Sequence, residues 1–379
     1  MDKAKIRQIK IEVKFVKILV YGISAEIGGI SEFMMNISDN IDVDKIQFDY
    51  IITGDTSVYE RKIIRNNGKV FFISSKKNLI KNIFQIYSIL KKNRKNHEIF
   101  YYNTSGIYYA IPLLFACLFK YKIIVHAHNS KDETNGWLYT VLNKYNRRIF
   151  KKHIQKKLAC SDLASEWVFG TNDNVEFIRN GIDLSKFQYD EKKRNYLRNK
   201  MNIRNDELVI GNVGRLTKVK NQKFILEIFN LILKEKNNSK LLLIGDGDQK
   251  DYLVSLANKM KLIDKVIFYG NCNNVSELLL VMDFFIFPSK NEGFPITLVE
   301  SQATGLKSII SDNITKQVKI TDLVCFKNLK ESADEWKKYI LENCQYNRKD
   351  YSKILEKKGF SRIDTANQIS NILQKLGED

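Results

Sequence analysis

The sequence predicts an α/β protein made of two separate parallel sheets of the Rossmann type, for three reasons. Short β-rich runs alternate with helical stretches along the chain, which is typical of parallel strands joined by crossover helices. The chain has 379 residues, which is too long for one ordinary domain and suits two. A polar, charged stretch without a strand pattern, residues 182–206, separates the two series of runs. We therefore predict domains at residues 1–186 and 187–379.

The strand runs follow each other in both domains. In the first domain they read VKILVYG, FDYIIT, KVFFIS, EIFYYN, KIIVHAH, KKLACS and VEFIRN. In the second they read ELVIGNVG, KLLLIGDG, KVIFYG, DFFIFPS, KSIISD and DLVCF. Ligands of such folds bind outside the carboxyl ends of the strands, so functional residues are expected there.

The C-terminal stretch predicts a helix over about residues 362–377 that packs back on the first domain. Its apolar residues recur at helical spacing, and they are Ile363, Ala366, Ile369, Ile372, Leu373 and Leu376.

Composition indicates a well-packed protein of a reducing compartment. Apolar residues make up 44% of the chain, and the five cysteines show no CxxC spacing, which favours a cytoplasmic location over a disulfide framework or a zinc site. The N-terminus has no sustained apolar region, so no signal peptide is predicted. The longest apolar run, residues 106–119, is shorter than the ~20 residues that span a bilayer. We interpret it as a buried core helix, with a membrane-dipping helix as the alternative.

Positive charge is concentrated in the first domain. The chain carries 62 Lys and Arg against 43 Asp and Glu, a net charge of +19, and residues 1–186 hold 30 basic and 18 acidic residues. Between Arg61 and Lys95 there are eleven Lys or Arg and no acid, and residues 144–157 add seven more. Such runs attract polyanions, which means anionic lipid or nucleic acid, with a solvated Lys-rich surface as the alternative.

Glycines follow the first predicted strand in the stretch GISAEIGGISEF. Gly28 and Gly29 precede a helix expected to begin near Ser31, where backbone N–H groups can approach an anion. The stretch is not a GxGxxG and has no suitably placed ribose-binding acid, so it argues against an NAD site.

Two cations follow the first strand of the second domain. Arg215 and Lys220 lie in GNVGRLTKVKNQ, just before a predicted helix. Fixed cations before a helix N-terminus can neutralise charge on a leaving diphosphate, so we predict a diphosphate clamp.

Two glutamates flank a helix start in SKNEGFPITLVESQATG. Glu292 lies in a turn, and Glu300 lies about one turn into the helix. Pro295 suits the first turn, and Gly293 and Phe294 leave N–H groups for phosphate. The Glu300 carboxylate can accept hydrogen bonds from both vicinal hydroxyls of a ribose, while Glu292 would face the group attached to the diphosphate.

These motifs resemble those of the retaining family-4 glycosyltransferases of the GT-B fold, which are common in bacterial capsule, exopolysaccharide and lipopolysaccharide assembly. The E-x7-E signature corresponds to Glu292 and Glu300 in PSKNEGFPITLVE, the clamp to GRLTKVKN and the glycine turn to IGGIS. RNGID, residues 179–183, is similar to the segment that closes the first domain. After Glu300 the chain reads SQATGL, where the family more often has Ala-rich residues and Pro.

The resemblance implies two facing Rossmann-like domains and a last helix that crosses back. It also implies that the first domain binds the acceptor and that the second domain binds most of a nucleotide-diphospho-sugar donor. Arg215 and Lys220 would hold the diphosphate, and Gly28 and Gly29 would face the donor from the first domain. Glu300 would bind the ribose and Glu292 the donor sugar hydroxyls. UDP is the expected nucleotide.

The resemblance also implies a histidine of the first domain that faces the donor sugar. VHAHNS offers His126 and His128, which lie on the same side of a strand because side chains alternate. His128, which is followed by Asn, is the preferred candidate, and a structural histidine is the alternative. The base would lie near Tyr269, Gly270 and Asn271, largely against backbone.

No metal or other cofactor is expected. Two DxD strings occur, at Asp42–Asp44 and Asp246–Asp248. The first falls between a helix and a strand start, and the second lies in a glycine turn common in the family. Because cations and helix dipoles already face the diphosphate, we interpret neither string as a metal site.

The resemblance implies transfer with retention of configuration by same-face attack, with a double displacement as the alternative. Acceptors in such pathways are often polyprenyl-diphosphate-linked sugars at the inner leaflet of the plasma membrane. Residues 61–95 would then hold a cytoplasmic enzyme on anionic lipid as a peripheral protein.

Three other functions compete with this one. A nucleotide-sugar 2-epimerase shares the architecture, but the pairing of EGFP…E with GRLTKVKN favours transfer. The pI near 9.4 suggests nucleic-acid binding, yet no recognised module or aromatic stacking pattern occurs, so nucleic acid is not an expected partner. A non-catalytic binding subunit is the third alternative.

Overall fold

The first half of the chain forms one parallel sheet. The structure is a computed structural model that describes residues 15–26, 28–130 and 136–378. Within these residues the first sheet has the order β3-β2-β1-β4-β5-β6-β7, with every neighbouring pair parallel. Its strands are β1 (Val16–Ser24), β2 (Ile46–Thr53), β3 (Val70–Ile73), β4 (Ile99–Thr104), β5 (Lys122–Ala127), β6 (Ile154–Ala159) and β7 (Glu176–Phe177).

The second half forms a separate parallel sheet of the order β10-β9-β8-β11-β12-β13. In the described part of the chain its strands are β8 (Leu208–Val213), β9 (Ser239–Ile244), β10 (Val266–Gly270), β11 (Phe284–Phe287), β12 (Ser308–Ser311) and β13 (Val324–Lys327). Each predicted strand run overlaps one of these strands, and central strands such as β8 and β11 are buried along their whole length. The predicted fold class of two Rossmann-like sheets is therefore confirmed.

Helices connect the strands and cover both faces of each sheet. Those of the first half are α1 (Gly29–Asn40), α2 (Glu60–Arg65), α3 (Leu79–Asn93), α4 (Ile111–Leu118), α5 (Trp137–Phe150) and α6 (Asp162–Phe169). Those of the second half are α7 (Glu191–Lys200), α8 (Gln222–Glu235), α9 (Lys250–Lys259), α10 (Val275–Val281), α11 (Ile296–Ala303), α12 (Ala333–Asn343), α13 (Ser352–Lys357) and α14 (Arg362–Glu378).

The last helix belongs to the core of the first sheet. Ile369 and Leu373 of α14 are fully buried in the same apolar cluster as Ile18 of β1 and Met34 of α1. The Lys122 ammonium donates to the Leu376 carbonyl oxygen at 2.9 Å. The C-terminal helix therefore crosses back as predicted and completes the layer formed by α1 and α2.

One residue of the predicted apolar side of this helix lies elsewhere. Ile363 is exposed, because the first turn of α14 still lies outside the layer that buries Ile369 and Leu373.

The two chain crossings between the sheets lie side by side. Ile182 and Ser361 form a parallel bridge, in which the Ile182 amide donates to the Phe360 carbonyl and the Arg362 amide donates to the Ile182 carbonyl. The Thr365 hydroxyl donates to the Arg179 carbonyl at 2.8 Å. The RNGID segment is thus tied to the start of α14, and both crossings form a single connection.

The polar stretch between the domains contains α7, which packs on the second sheet through arginines. The fully buried Arg198 guanidinium donates to the Val281 carbonyl at 2.9 Å and to the Asp283 carboxylate at 3.1 Å. Arg194 pairs with the same carboxylate at 2.5 Å. The charged stretch can pack against the second domain because the Arg194 and Arg198 guanidinium groups both pair with the Asp283 carboxylate.

The long apolar run of the first half becomes α4. Leu113 and Ala116 are buried against the sheet, while Leu114 and Leu118 are exposed, so α4 is a surface helix with one buried face and not a fully buried one. Among the residues that the structure describes, no helix combines the length and the apolarity that a membrane crossing needs.

Candidate active site

The loops after β8 and β11 meet because these strands are neighbours in the second sheet. From β8 the sheet is extended on one side by β9 and β10 and on the other by β11, β12 and β13, so the strand order reverses between β8 and β11. Ligands of open α/β sheets bind at such a point, outside the carboxyl ends of the strands. The loop after β8 carries Arg215 and Lys220, and the loop after β11 carries Glu292. Residues that are more than 70 positions apart therefore face one crevice.

Lys220 and Glu292 form an ion pair in this crevice. The Lys220 ammonium lies 2.6 Å from the Glu292 carboxylate, with side chains that are 21% and 13% exposed. The Ser289 hydroxyl donates to the same carboxylate oxygen at 2.6 Å. Lys220 also lies over the Phe287 ring, 4.8 Å from its centroid. The pair is shielded from water on one side and open on the other, so an incoming anion competes with Glu292 for the ammonium.

Arg215 is exposed and has no side-chain partner within the described residues. Its carbonyl accepts from the Gln222 amide at 3.1 Å, which ties the loop to the first turn of α8. The guanidinium is therefore available to a ligand, and its fork of donors suits a phosphate.

Glu300 lies on α11, which begins at Ile296, directly after Pro295. Glu300 is partly buried, and desolvation raises the pKa of its carboxyl from 4.5 to about 7. No Lys or Arg in the described part of the chain pairs with it. A carboxylate without a hydrogen-bond partner can accept hydrogen bonds from the hydroxyl groups of a ligand.

The turn before α11 has free backbone donors. Neither the Gly293 nor the Phe294 amide donates to an acceptor among the described residues. The Phe294 side chain does not face a ligand here, because it is buried and stacks on the Phe360 ring, with ring centroids 6.0 Å apart. In the first turn of α11, the buried Thr297 hydroxyl lacks a hydrogen-bond partner in the described structure.

The segment predicted to hold the base lies at the carboxyl end of β10, the edge strand of the second sheet. Gly270 has a φ of +80°, and its carbonyl accepts from the Gly245 amide at 2.9 Å. Tyr269 and Asn271 are exposed beside it. Because β9 separates β10 from β8, a ligand that reaches both this segment and the clamp must extend across β9.

The two histidines lie on the same side of β5, with ring centroids 4.0 Å apart. His126 is fully buried, its Nδ1 is 2.8 Å from the Tyr101 hydroxyl, and burial lowers its pKa well below 6.5. His128 is partly buried at the strand end. Its Nε2 is 2.7 Å from the Asn103 Oδ1, and burial lowers its pKa to about 3.

His128 is therefore neutral at physiological pH. Because the Asn103 oxygen can only accept, Nε2 carries the proton and Nδ1 keeps its lone pair. His126 has the surroundings of a structural histidine, although its Nε2 lacks a partner within the described residues.

The glycine turn of the first domain leads into α1, which begins at Gly29, two residues earlier than expected. A methyl group at Gly29 would meet no atom of the described residues within 4 Å, so none of them crowds this position. The Ser31 hydroxyl accepts from the Ser24 amide at 3.0 Å and fixes the turn.

The two domains touch at this site. The Ser130 hydroxyl, after β5, contacts Asn291 and donates to the Glu292 carbonyl at 2.7 Å. A methyl group on Gly293 would overlap the His128 carbonyl oxygen. These contacts bring the His128 strand end against the loop that carries Glu292.

Three residues of this arrangement were not predicted from the sequence: Asn103, Ser130 and Thr297. Asn103 and Ser130 do lie at carboxyl strand ends, where polar residues were expected, but their roles depend on pairing between strands and between domains. Thr297 carried no signal beyond its place after Pro295.

The two DxD strings have local partners. Asp42 pairs with Lys45 at 3.0 Å, and Asp246 pairs with Lys250 at 2.9 Å. Among the described residues no three His, Cys, Asp or Glu side chains gather as metal ligands would.

The architecture and the crevice define a protein of the GT-B class. The UDP complex of HepE from Anabaena has the same fold, with a TM-score of 0.78 at 14% identity over 95% of this chain and all of that one. The lipopolysaccharide glycosyltransferase WaaG superimposes with a TM-score of 0.67 at 15% identity, over 95% of this chain and 97% of that one.

The sequence is similar to those of glycosyltransferases. Residues 193–349 match the family described as glycosyl transferases group 1. The putative glycosyltransferase EpsF of Bacillus subtilis (strain 168) is 29% identical over 321 residues, which is 82% of this chain and 83% of that protein. Residues 193–349 are therefore similar in sequence to group 1 glycosyltransferases, and the chain has the GT-B fold.

Proposed function

We propose that the protein is a retaining family-4 glycosyltransferase that moves a sugar from a nucleotide-diphospho-sugar, a UDP-sugar, to a lipid-linked glycan in cell-surface polysaccharide synthesis. The observation that carries this proposal is the Lys220–Glu292 pair at the carboxyl ends of two neighbouring strands. The pair supports the proposal because its ammonium suits a diphosphate and its carboxylate suits sugar hydroxyls. His128 of the first domain lies across the contact with Gly293.

The donor fits the crevice from the second domain. Its diphosphate meets Arg215, Lys220 and the amides of Gly293 and Phe294. Its ribose meets Glu300, and its base lies near residues 269–271. The UDP in HepE supports a nucleotide in this kind of fold but says nothing about the sugar.

The reaction follows from these contacts. The acceptor hydroxyl attacks the anomeric carbon on the face that the diphosphate leaves, and the departing phosphate oxygen takes the proton. Arg215 and Lys220 stabilise the charge that grows on the leaving group, which lowers the barrier because this charge is larger in the transition state. Glu292 and the neutral His128 orient the sugar hydroxyls. No metal ion is needed, since two cations already face the diphosphate.

The acceptor proposal draws on one relative. The UDP-Gal:alpha-D-GlcNAc-diphosphoundecaprenol alpha-1,3-galactosyltransferase of Escherichia coli is 25% identical over 246 residues, 62% of each chain, and its name gives a lipid diphosphate acceptor. An acceptor of that chemical class is consistent with the charge of the first domain.

The basic run between Arg61 and Lys95 does not form one surface. Lys62 and Arg65 lie on α2 and pair with Asp39 of α1, at 2.8 and 3.3 Å. α3 packs on the opposite side of the sheet, where Leu90 belongs to a different apolar cluster from Ile63 of α2. One bilayer therefore meets only part of this run.

The side of α3, α4 and α5 is the better membrane surface, and we call it the α3–α5 face. Its exposed apolar residues are Leu79, Ile80 and Phe84 of α3, Leu114 and Leu118 of α4, and Trp137, Leu138, Tyr139, Val141, Leu142, Tyr145 and Ile149 of α5. Basic residues of α3 and α5 accompany them. Apolar and aromatic groups beside Lys and Arg suit the interface of an anionic bilayer, so we propose peripheral binding at the cytoplasmic face through this surface.

The membrane proposal predicts a selective loss of vesicle binding. Ile80→Ser with Trp137→Ser removes two of the most exposed apolar groups and should lower partition into phosphatidylglycerol vesicles about tenfold. Ile64→Ser is the control, because Ile64 is also an exposed apolar residue but lies on α2. Cosedimentation measures both. Equal partition of all three proteins would contradict this surface.

The 2-epimerase alternative is disfavoured, because the relatives named above are glycosyltransferases. A donor screen tests the proposed function. Purified protein is incubated with UDP-, GDP- and ADP-sugars without acceptor, and nucleotide release is measured. Release from one donor, lost in Glu292→Ala, would support the proposal. Glu235→Ala is the control, since Glu235 is the last residue of α8 and lies near the amino ends of the strands, away from the crevice. No release and no binding of any donor would overturn it.

A further inference from the structure

The first domain has a pocket of about 440 Å³ at the carboxyl ends of β1, β2 and β4. We call it the tyrosine pocket, because Tyr21, Tyr102, Tyr108 and Tyr109 line it. Lys76 lies at the same pocket, with its ammonium 4.3 Å from the Tyr109 ring centroid and 6.0 Å from that of Tyr108.

Lys76 is the cation of this pocket. No carboxylate pairs with it among the described residues, whereas many other lysines of the chain have an acidic partner within 4.0 Å. The acid that lines the pocket, Glu26, is exposed and forms no ion pair in the described structure. Aromatic faces, one unpaired ammonium and one carboxylate are the set of groups that a sugar with an anionic substituent requires.

The pocket connects the catalytic crevice with the α3–α5 face. At its inner end, Asn103 lines the pocket and binds His128, whose carbonyl lies against Gly293. At its outer end, Tyr108 packs edge-on against Tyr139 of α5, with ring centroids 5.0 Å apart. Lys76 lies at this outer end, between the apolar surface and the site of transfer.

From this order of groups we propose that the tyrosine pocket binds the acceptor and that Lys76 recognises its phosphate or diphosphate group. This inference rests on the proposed function and deepens it. The acceptor sugar lies along the tyrosines toward His128, and its anionic group contacts Lys76. A lipid attached to that group extends past Tyr139 to the α3–α5 face.

The chemistry admits two sources of the anion, a lipid-linked diphosphate and a free sugar phosphate. Calorimetric titration in saturating UDP, which fills the donor clamp, separates them. The probes are farnesyl diphosphate below its micellar concentration, glucose 1-phosphate and the neutral octyl glucoside. A lipid-linked acceptor predicts that farnesyl diphosphate binds more tightly than the other two.

Variants at Lys76 test its role. Lys76→Met should weaken binding of the charged probes about tenfold, since one charge-assisted hydrogen bond is lost, while Lys76→Arg should stay within about threefold of the wild type. Lys77→Met is the matched control, because this neighbouring exposed lysine does not line the pocket. Melting curves check that each variant folds.

Two results would overturn the inference: equal affinity of wild type and Lys76→Met for the charged probes, or no binding of any charged probe to the UDP complex. Tighter binding of glucose 1-phosphate than of farnesyl diphosphate would overturn the lipid-linked source and keep the anion site. UDP binding is read separately in every protein. If the wild type does not bind UDP, it is the proposed function that fails.

Discussion

At the scale of single residues, the crevice keeps its charged groups in states that a ligand would change. Glu292 is held by Lys220 and Ser289, whereas Glu300 has a raised pKa and no partner in the described structure. In the proposed complex, Lys220 would divide its hydrogen bonds between Glu292 and the diphosphate. The proposed function thus has internal contacts exchanged for contacts with the donor.

Donor affinity should depend on pH through Glu300. Desolvation raises its pKa to about 7 in the free protein, and ribose hydroxyls bind the ionised form. The diphosphate of a UDP-sugar does not titrate between pH 6 and 8. We expect affinity to be about tenfold weaker at pH 6 than at pH 8 in the wild type and flat in Glu300→Gln, measured by calorimetry.

The same group affects stability with the opposite sign. A raised pKa in the folded state means that the stabilising contribution of Glu300 is present below pH 4.5 and is lost as the pH rises through about 7. His128 does not change donor affinity between pH 6 and 8, because its folded pKa of about 3 keeps it neutral in the folded protein over this range. Identical pH profiles of donor affinity in wild type and Glu300→Gln would contradict the role of Glu300.

At the scale of elements, the loop before α11 works as the contact between domains. Gly293 lies against the His128 carbonyl, and Ser130 binds the neighbouring Glu292 carbonyl. The backbone of one loop therefore sets the distance between the His128 strand end and the donor crevice.

Gly293→Ala should open this contact. The added methyl group overlaps the His128 carbonyl oxygen, so the two halves of the site move apart and transfer should fall about a hundredfold. Initial rates measure this effect. Gly136→Ala is the control, because a methyl group there meets no atom within 4 Å in the described part of the chain. Equal rates in both variants would show that the contact does not control the site.

Helix α7 depends on a buried arginine. Arg198→Met removes one of the two guanidinium groups that pair with Asp283 and takes the side-chain donor from the buried Val281 and Glu207 carbonyl oxygens, so we expect a loss of about 3 kcal/mol in the free energy of unfolding. Urea denaturation measures it. Arg204→Met, which removes exposed contacts with Asp206 and Asn238, should leave stability nearly unchanged. Similar effects of both variants would show that burial of Arg198 is not what matters.

Much of the element level could be predicted from the sequence. The buried parallel strands are continuous apolar runs, so each one was found. The Lys220–Glu292 pair was not predicted, because it depends on β8 lying beside β11 and no periodicity reports which strands are neighbours. Helix α7 was not predicted, because the stretch that contains it was interpreted from its polarity alone as a connection between the domains. The lysines and arginines between residues 61 and 95 were predicted to form one surface. In the structure α2 and α3 lie on opposite faces of the sheet, which the sequence of the run alone does not indicate.

At the scale of the whole molecule, the chain crosses between the domains twice at one place. The bridge of Ile182 with Ser361 lies at the end of the first domain, and α14 then returns to the first sheet. The first domain therefore consists of two distant parts of the chain.

Loss of packing in α14 should destabilise the first domain. Leu373→Ala removes a fully buried side chain from the cluster that contains β1 and α1, and about 3 kcal/mol of stability should be lost. Thermal unfolding measures this change. Ile363→Ala is the control in the same helix, since Ile363 is exposed. A loss of similar size in the control would mean that α14 does not belong to this core.

The central claim is that the crevice of the second domain binds a nucleotide diphosphate. Calorimetric titration of UDP into wild type, Arg215→Met and Lys218→Met tests it most directly. Both positions are exposed in the same loop, so neither change should affect folding. The account predicts that UDP binds the wild type, that Arg215→Met weakens binding about tenfold, and that Lys218→Met does not. Equal affinity of all three proteins, or no binding of UDP, GDP or ADP to the wild type, would contradict it.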